Sequence, residues 1–157
     1  EIWVMPCSKN IQKKLVLGKH RIKMLELAID NLNCGNISVF DYEVKNDLPN
    51  RTLNTIKLLK KDSKYKNYEF FFIVGMDVAN DIPNWNNYQE LISLINFIII
   101  PRSNQNILND WFTKSKRHIY LDDSLTRGIS STLFRETFSK DVLPTNVLEY
   151  IIKNNLY

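Results

Sequence analysis

Phe70-Phe71-Phe72-Ile73-Val74-Gly75-Met76-Asp77 runs five aromatic or β-branched residues directly into a glycine and an acid. A run that is apolar on both faces suits a strand covered by helices on each side, the usual state of a parallel sheet. Phe97-Ile98-Ile99-Ile100 repeats that character, so both are expected as central strands. Outward from this pair, strands are predicted over 1–6, 37–42, 69–74, 96–101 and 118–121. Runs of helical period fall between and after them, over 19–32, 52–62, 87–95, 106–115, 130–138 and 145–154. In the first helix Ile22, Leu25, Leu27, Ala28 and Leu32 fall broadly on one side. Pro83, Pro101 and Pro144 each punctuate an element boundary. The alternation of strand and helix predicts an α/β fold, a βαβ series around an open parallel sheet with helices on both faces.

The chain has 157 residues, enough for one domain with a real core, and 1–157 is read as a single domain. Its 44% hydrophobic and 24% charged content fits a globular protein, and no apolar run reaches membrane-span length, so a cytoplasmic protein without a membrane partner is expected. Cys7 and Cys34 have neither metal-ligand spacing nor disulfide density and read as free thiols. A net charge of +4 suits an anionic ligand. The cluster Lys57, Lys60, Lys61 and Lys64 reads as a solvated helix face; no aromatic platform accompanies it, so no nucleic-acid partner is expected. Asparagine, at 19 residues, falls mostly between elements, where it suits turns. Glycine is scarce, which suggests that the backbone needs Gly75 and Gly128 where they stand.

In open parallel sheets ligands sit beyond the carboxyl ends of the strands, which gives weight to polar residues placed just after them. Gly75 and Asp77 follow one strand and Arg102 the next. Asp77 either accepts ribose hydroxyls or caps the short helix that follows. Thr52 and Thr55 open a helix on one face; one suits a cap, the other could offer its hydroxyl to a ligand. Trp85, in the polar loop Asp81-Ile82-Pro83-Asn84-Trp85-Asn86-Asn87, either folds back on the core or presents a stacking face. The run Ile129-Ser130-Ser131-Thr132-Leu133-Phe134-Arg135 puts three hydroxyls at a helix start and a guanidinium one turn later. Such a run is an ordinary cap or, with free backbone N–H groups and the helix dipole, a phosphate site. His20 and His118 are isolated and read as structural, and no metal site is expected. No nucleophile–base arrangement and no Gly-rich phosphate loop occurs. Chemistry that needs no protein nucleophile is therefore favoured; nucleotidyl transfer between two bound phosphates, by positioning and charge neutralisation, is one such case, and it would want Mg²⁺ brought in on the nucleotide.

In order and spacing these residues resemble the nicotinate-nucleotide adenylyltransferase family, bacterial type, of the nucleotidyltransferase α/β phosphodiesterase superfamily. The resemblance covers the whole chain. It takes in Trp3 to Pro6, His20-Arg21 with Met24 to Ile29, the T-x-x-T pair Thr52 and Thr55, and Phe72 to Asp77. It continues through Trp85, Glu90-Leu91, Arg102, the I-S-S-T-x-x-R run, Val147 to Ile152 and Leu156-Tyr157. It implies a Rossmann-like fold and the reaction of ATP with nicotinate mononucleotide, giving the deamido dinucleotide and pyrophosphate, with nicotinamide mononucleotide as a possible second acceptor. Homo-oligomerisation is left open. Trp85 would stack on the pyridine ring and Thr52 would meet its carboxylate or amide, with Gly75 and Asp77 holding base and ribose. Ser130, Ser131, Thr132 and Arg135 would bind the ATP phosphates, Arg102 would serve in a ligand loop, and Lys13 or Lys14 would be a loop cation reaching phosphate.

Some features depart from the family. Its first strand and its G-x-F-D-P-x-H-x-G-H motif, whose histidines donate to the transferred phosphate, are not in this sequence, so the catalytic residues stay unassigned. We therefore expect the sequence to be part of a longer protein. That first strand is central in the family's sheet, and a chain without it would expose strand edges. Arg51 stands for the usual tyrosine before Thr52, and Ser103-Asn104 for Pro-Gly after Arg102, leaving acid or amide preference open. Two other readings stand beside the leading one. Pantetheine-phosphate adenylyltransferase shares the Ser run but not the G-x-D…Trp and T-x-x-T elements. A non-catalytic nucleotide-binding module is favoured only by the missing histidines.

Overall fold

The structure is a computed structural model that describes residues 1–9, 15–49, 51–101, 110–121, 134, 136 and 142–157. In chain order the elements are β1 (Ile2–Val4), α1 (Gly18–Asp30), β2 (Ile37–Val39), α2 (Tyr42–Lys45), α3 (Thr52–Lys61), β3 (Phe71–Gly75) and α4 (Met76–Asp81). A 3₁₀ turn (Ile82–Asn84), α5 (Tyr88–Leu94), β4 (Asn96–Ile100), α6 (Asp110–Thr113), β5 (Ile119–Tyr120) and α7 (Thr145–Lys153) follow. Parallel strands separated by helices make this the α/β class expected. The chain divides into two compact units, 1–51 with 129–157, and 52–128.

In the first unit β1 pairs in parallel with β2, and the chain between them forms α1. Val147, Leu148 and Ile151 form one buried stripe on α7, and with Phe134 they make a core against which Met24, Leu27 and Ala28 of α1 pack. Polar clips tie the same pair of helices: Asn146 Nδ2 donates to the Leu27 carbonyl at 2.9 Å, and Asn31 Nδ2 donates to Asn146 Oδ1 at 2.7 Å. Helix α1 stops at Asp30, short of the predicted 32. Leu32 thus lies in the following turn, 55% exposed, and not on the packed face. The strand expected over 37–42 is likewise shorter. Phe40 N still donates to the Val4 carbonyl at 3.1 Å, but Tyr42 already begins α2. The aromatic series Trp3, Phe40 and Tyr42, with centroids 4.4 and 5.4 Å apart, continues the apolar pattern after the ladder has ended.

The second unit holds a parallel sheet ordered β3-β4-β5 among the described residues. Phe97 and Ile99 of β4 are fully buried and share a face with Phe72 and Val74 of β3, with which they pair in register. Met76, Ala79, Ile82, Leu91 and Ile95, with Leu53, Ile56 and Leu59 of α3, complete this core. Among the described residues β4 has a strand on each side, as predicted. Strand β3 lies at the sheet edge among the described residues, and its outward side chains Phe71 and Ile73 are 43% and 46% exposed. An apolar residue on each face marks a strand as coverable, and the number of neighbours it has is set by topology. At the amino end of the sheet, buried Asn96 accepts from Arg117 Nε at 3.1 Å and donates to Glu69 Oε1 at 2.7 Å, joining the starts of all three strands. At the carboxyl end Gly75 pairs in register with Ile100, and Ile99 with Tyr120, so the segments after β3, β4 and β5 leave the sheet on one side.

Asparagine plays the part expected in turns: Asn33, Asn87 and Asn155 adopt left-handed backbone with φ of 48°, 57° and 49°. The lysine cluster is mostly engaged within its own unit. Lys57 pairs with Glu90 at 2.7 Å, and Lys60 and Lys64 lie over the rings of Phe70 and Tyr65. The single-residue histidine readings fit as well. His20 Nδ1 lies 2.8 Å from the Tyr150 hydroxyl, tying α1 to α7. His118, one residue before β5, packs against the edges of Phe97 and Trp111.

Candidate functional site

The carboxyl end of β3 passes without a loop into α4. Gly75 is both the last strand residue and the N-cap of α4, which puts Asp77 in the exposed first turn. Asp77 is therefore not the cap considered as its structural alternative. Nor does Gly75 need left-handed freedom: its φ of −73° and ψ of 161° are ordinary extended backbone. Gly128 lies outside the described residues.

Helix α4 ends at Asp81, and the 3₁₀ turn carries the chain to Trp85. Trp85 is half-buried, and its backbone is held on both sides, since its N–H donates to the Ile82 carbonyl at 2.9 Å and its carbonyl accepts from Tyr88 N at 3.2 Å. The indole Nε1–H donates to Asp81 Oδ2 at 3.0 Å, and Asn84 Nδ2 donates to Asp81 Oδ1 at 3.0 Å. These bonds from Asn84 and Trp85 hold the Asp81 carboxyl below its ordinary value. The sequence left Trp85 between core and stacking surface; the residue is neither buried in the core nor fully exposed, and its indole is anchored through the N–H. Asp81 was not among the residues singled out. Its signal was a carboxylate four residues before an indole, which the intervening 3₁₀ turn brings into contact.

Thr52 is the first residue of α3 and half-buried, whereas Thr55, one turn on, is 1% exposed and belongs to the core. Helix α3 contacts α5, and α5 contacts the 3₁₀ turn that precedes Trp85. Thr52, Gly75, Asp77 and Trp85 thus all belong to the second unit. Trp111 Nε1 donates to the Ala79 carbonyl at 3.1 Å, tying α6 to α4.

Lys13, Lys14, Arg102, Ser130, Ser131, Thr132 and Arg135 lie outside the described residues. Within the helix predicted over 130–138, Phe134 and Glu136 are helical, and Phe134 is buried in the core with α7. Arg21, part of the resemblance but given no role by it, donates from its guanidinium to the carbonyls of Val16, Cys7 and Ser8. It ties together the described residues on either side of 10–14. No three His, Cys, Asp or Glu side chains gather as a metal site among the described residues.

Comparison with known proteins gives this geometry a family. The cytidylyltransferase-like family model matches residues 1–137. A probable nicotinate-nucleotide adenylyltransferase of Lactococcus lactis subsp. lactis is 34% identical over 152 residues, spanning 93% of this chain and 72% of the relative. The nicotinate-nucleotide adenylyltransferase of Bacillus subtilis is 30% identical over 165 residues, spanning 100% and 82%. Among solved structures, the Plasmodium falciparum nicotinic acid mononucleotide adenylyltransferase complexed with NaAD superposes with a TM-score of 0.83 at 28% identity, covering all of this chain and 82% of that one. The same enzyme complexed with APC gives 0.77. The fold is accordingly the Rossmann-like parallel-sheet fold with helices on both faces. Matched over 93% to 100% of its length by these relatives, the chain belongs to the nicotinate-nucleotide adenylyltransferases, nucleotidyltransferases of the cytidylyltransferase-like family.

Proposed function

We propose that this chain, as one nucleotidyltransferase domain over 1–157, transfers the adenylyl group of ATP to nicotinate mononucleotide, releasing pyrophosphate and forming the dinucleotide of NAD biosynthesis. The observation that carries the reading is that β3 passes at its carboxyl end through Gly75 into α4, with Asp77 in its first turn and the anchored Trp85 after it, in a chain similar throughout to enzymes of that name. In this reading Trp85 stacks on the pyridine ring, Thr52 meets the carboxylate, and Gly75 and Asp77 hold base and ribose. Ser130, Ser131, Thr132 and Arg135 take the ATP phosphates, joined by Lys13 or Lys14, and Arg102 lines the ligand loop. Mg²⁺ arrives on the triphosphate as part of the substrate. In-line attack by the mononucleotide phosphate on the α-phosphorus breaks the bond to pyrophosphate; the chain's own contribution is alignment and charge neutralisation. No helix among the described residues is long and apolar enough to cross a membrane, and the reading assigns the reaction to the cytoplasm.

The test uses the complete native protein with ATP and, separately, nicotinate mononucleotide, nicotinamide mononucleotide and pantetheine phosphate, with pyrophosphate release as readout. Release with nicotinate mononucleotide is the expected result, and the amide arm measures the second acceptor. Binding of both nucleotides without release overturns the enzyme reading in favour of a nucleotide-binding module. Arg135→Ala is expected to depress turnover with ATP more than binding of the mononucleotide, because it meets charge that develops during transfer. Equal loss on both substrates removes that role.

A further inference from the structure

We propose that Asp81 is a positioning residue for the pyridine nucleotide, setting the plane of the Trp85 indole and enriching its π face through the Nε1–H···Oδ2 bond. The inference rests on the stacking role given to Trp85 above. An indole attached only through its backbone can turn about two side-chain torsions, and each turn moves the ring face away from a ligand. Here the N–H is bound at 3.0 Å by a carboxylate that Asn84 holds at 3.0 Å from the other oxygen, so the acceptor is itself fixed. Asp81 closes α4, and Trp85, directly after the 3₁₀ turn, has its N–H bound to the Ile82 carbonyl and its own carbonyl bound by Tyr88 N, so the backbone holds both ends of the bond. The N-ribosylated pyridine ring of the substrate is cationic, and a cation is drawn to the face of an indole. A hydrogen bond from the indole N–H to an anion increases the negative character of that face. The carboxylate, held below its ordinary value by Asn84 and Trp85, stays ionised throughout the neutral range. Asp81 therefore acts on the pyridine side of the reaction and not on ATP.

Steady-state kinetics of the complete enzyme test this with Asp81→Ala, Asp81→Asn, Trp85→Ala and Trp85→Phe, alone and combined. Asp81→Ala is expected to raise the Michaelis constant for nicotinate mononucleotide roughly two- to tenfold while leaving kcat and the ATP constant near wild type. Asp81→Asn, which keeps an acceptor for the indole, recovers part of the loss. On a Trp85→Phe background, where no N–H remains, Asp81→Ala adds nothing. If Trp85→Ala weakens the mononucleotide and Asp81→Ala does not, the positioning role is wrong and the stacking reading stands. If Trp85→Ala has no effect, the stacking reading fails first. A rise in both substrate constants, or one that persists on the Trp85→Phe background, marks Asp81 as merely structural and overturns the proposal.

Discussion

Trp85 and His118 are both half-buried rings, and the difference between them lies in what their nitrogens meet. The indole N–H has a carboxylate partner, whereas His118 Nδ1 is buried without one among the described residues. Trp85→Ala is expected to weaken nicotinate mononucleotide by about 1–3 kcal/mol, the scale of stacking a flat base on an aromatic ring; isothermal titration with that ligand checks it. For His118, burial first and the Arg117 charge second push the ring below its ordinary 6.5. The unfolded chain then takes up the proton at higher pH than the folded one, so the contribution to stability is present above 6.5 and lost as pH falls below it. Wild type should lose more stability than His118→Asn between about pH 7 and pH 5 in urea melts. Parallel losses would remove this role.

Helix α1 begins where it does because Gly18 has no side chain. A Cβ there would stand 2.5 Å from Val44 Cγ1 of α2, a β-branched side chain with little freedom to move aside. Gly18→Ala is expected to destabilise by about 1–3 kcal/mol despite alanine's better helix propensity, and Val44→Ala should relieve most of that cost. Thermal melts of the two single variants and the double variant measure the coupling. The sheet has a comparable dependence on one polar side chain. Asn96→Ala leaves Glu69 and Arg117 without their shared partner and should cost about 1–3 kcal/mol. Neither position stood out in the sequence, because Gly18 meets Val44 and Asn96 meets Arg117 across gaps that no local period spans.

At the scale of the sheet, β3 has a strand neighbour on one side among the described residues, and its outward side chains Phe71 and Ile73 are nearly half open. An unpaired apolar edge is a site of association. Ile73→Lys should lower concentration-dependent light scattering of the 157-residue chain while shifting its unfolding little. The sequence by itself determined the order of the strands and longer helices, their α/β class and the family, but not the short α2. Each of these rests on local periodicity, on turn chemistry at residues such as Asn33 and Asn87, or on motifs that keep their order along the chain. Tertiary structure alone decided that β4 is buried on the face it shares with Phe72 while Phe71 and Ile73 of β3 stay open, and that Thr55 enters the core while Thr52 stays at the helix start. It also decided that Asp81 anchors the Trp85 indole. Burial and hydrogen bonding depend on which neighbour arrives from elsewhere in the fold, and an apolar or polar residue type specifies the kind of neighbour it needs without naming it.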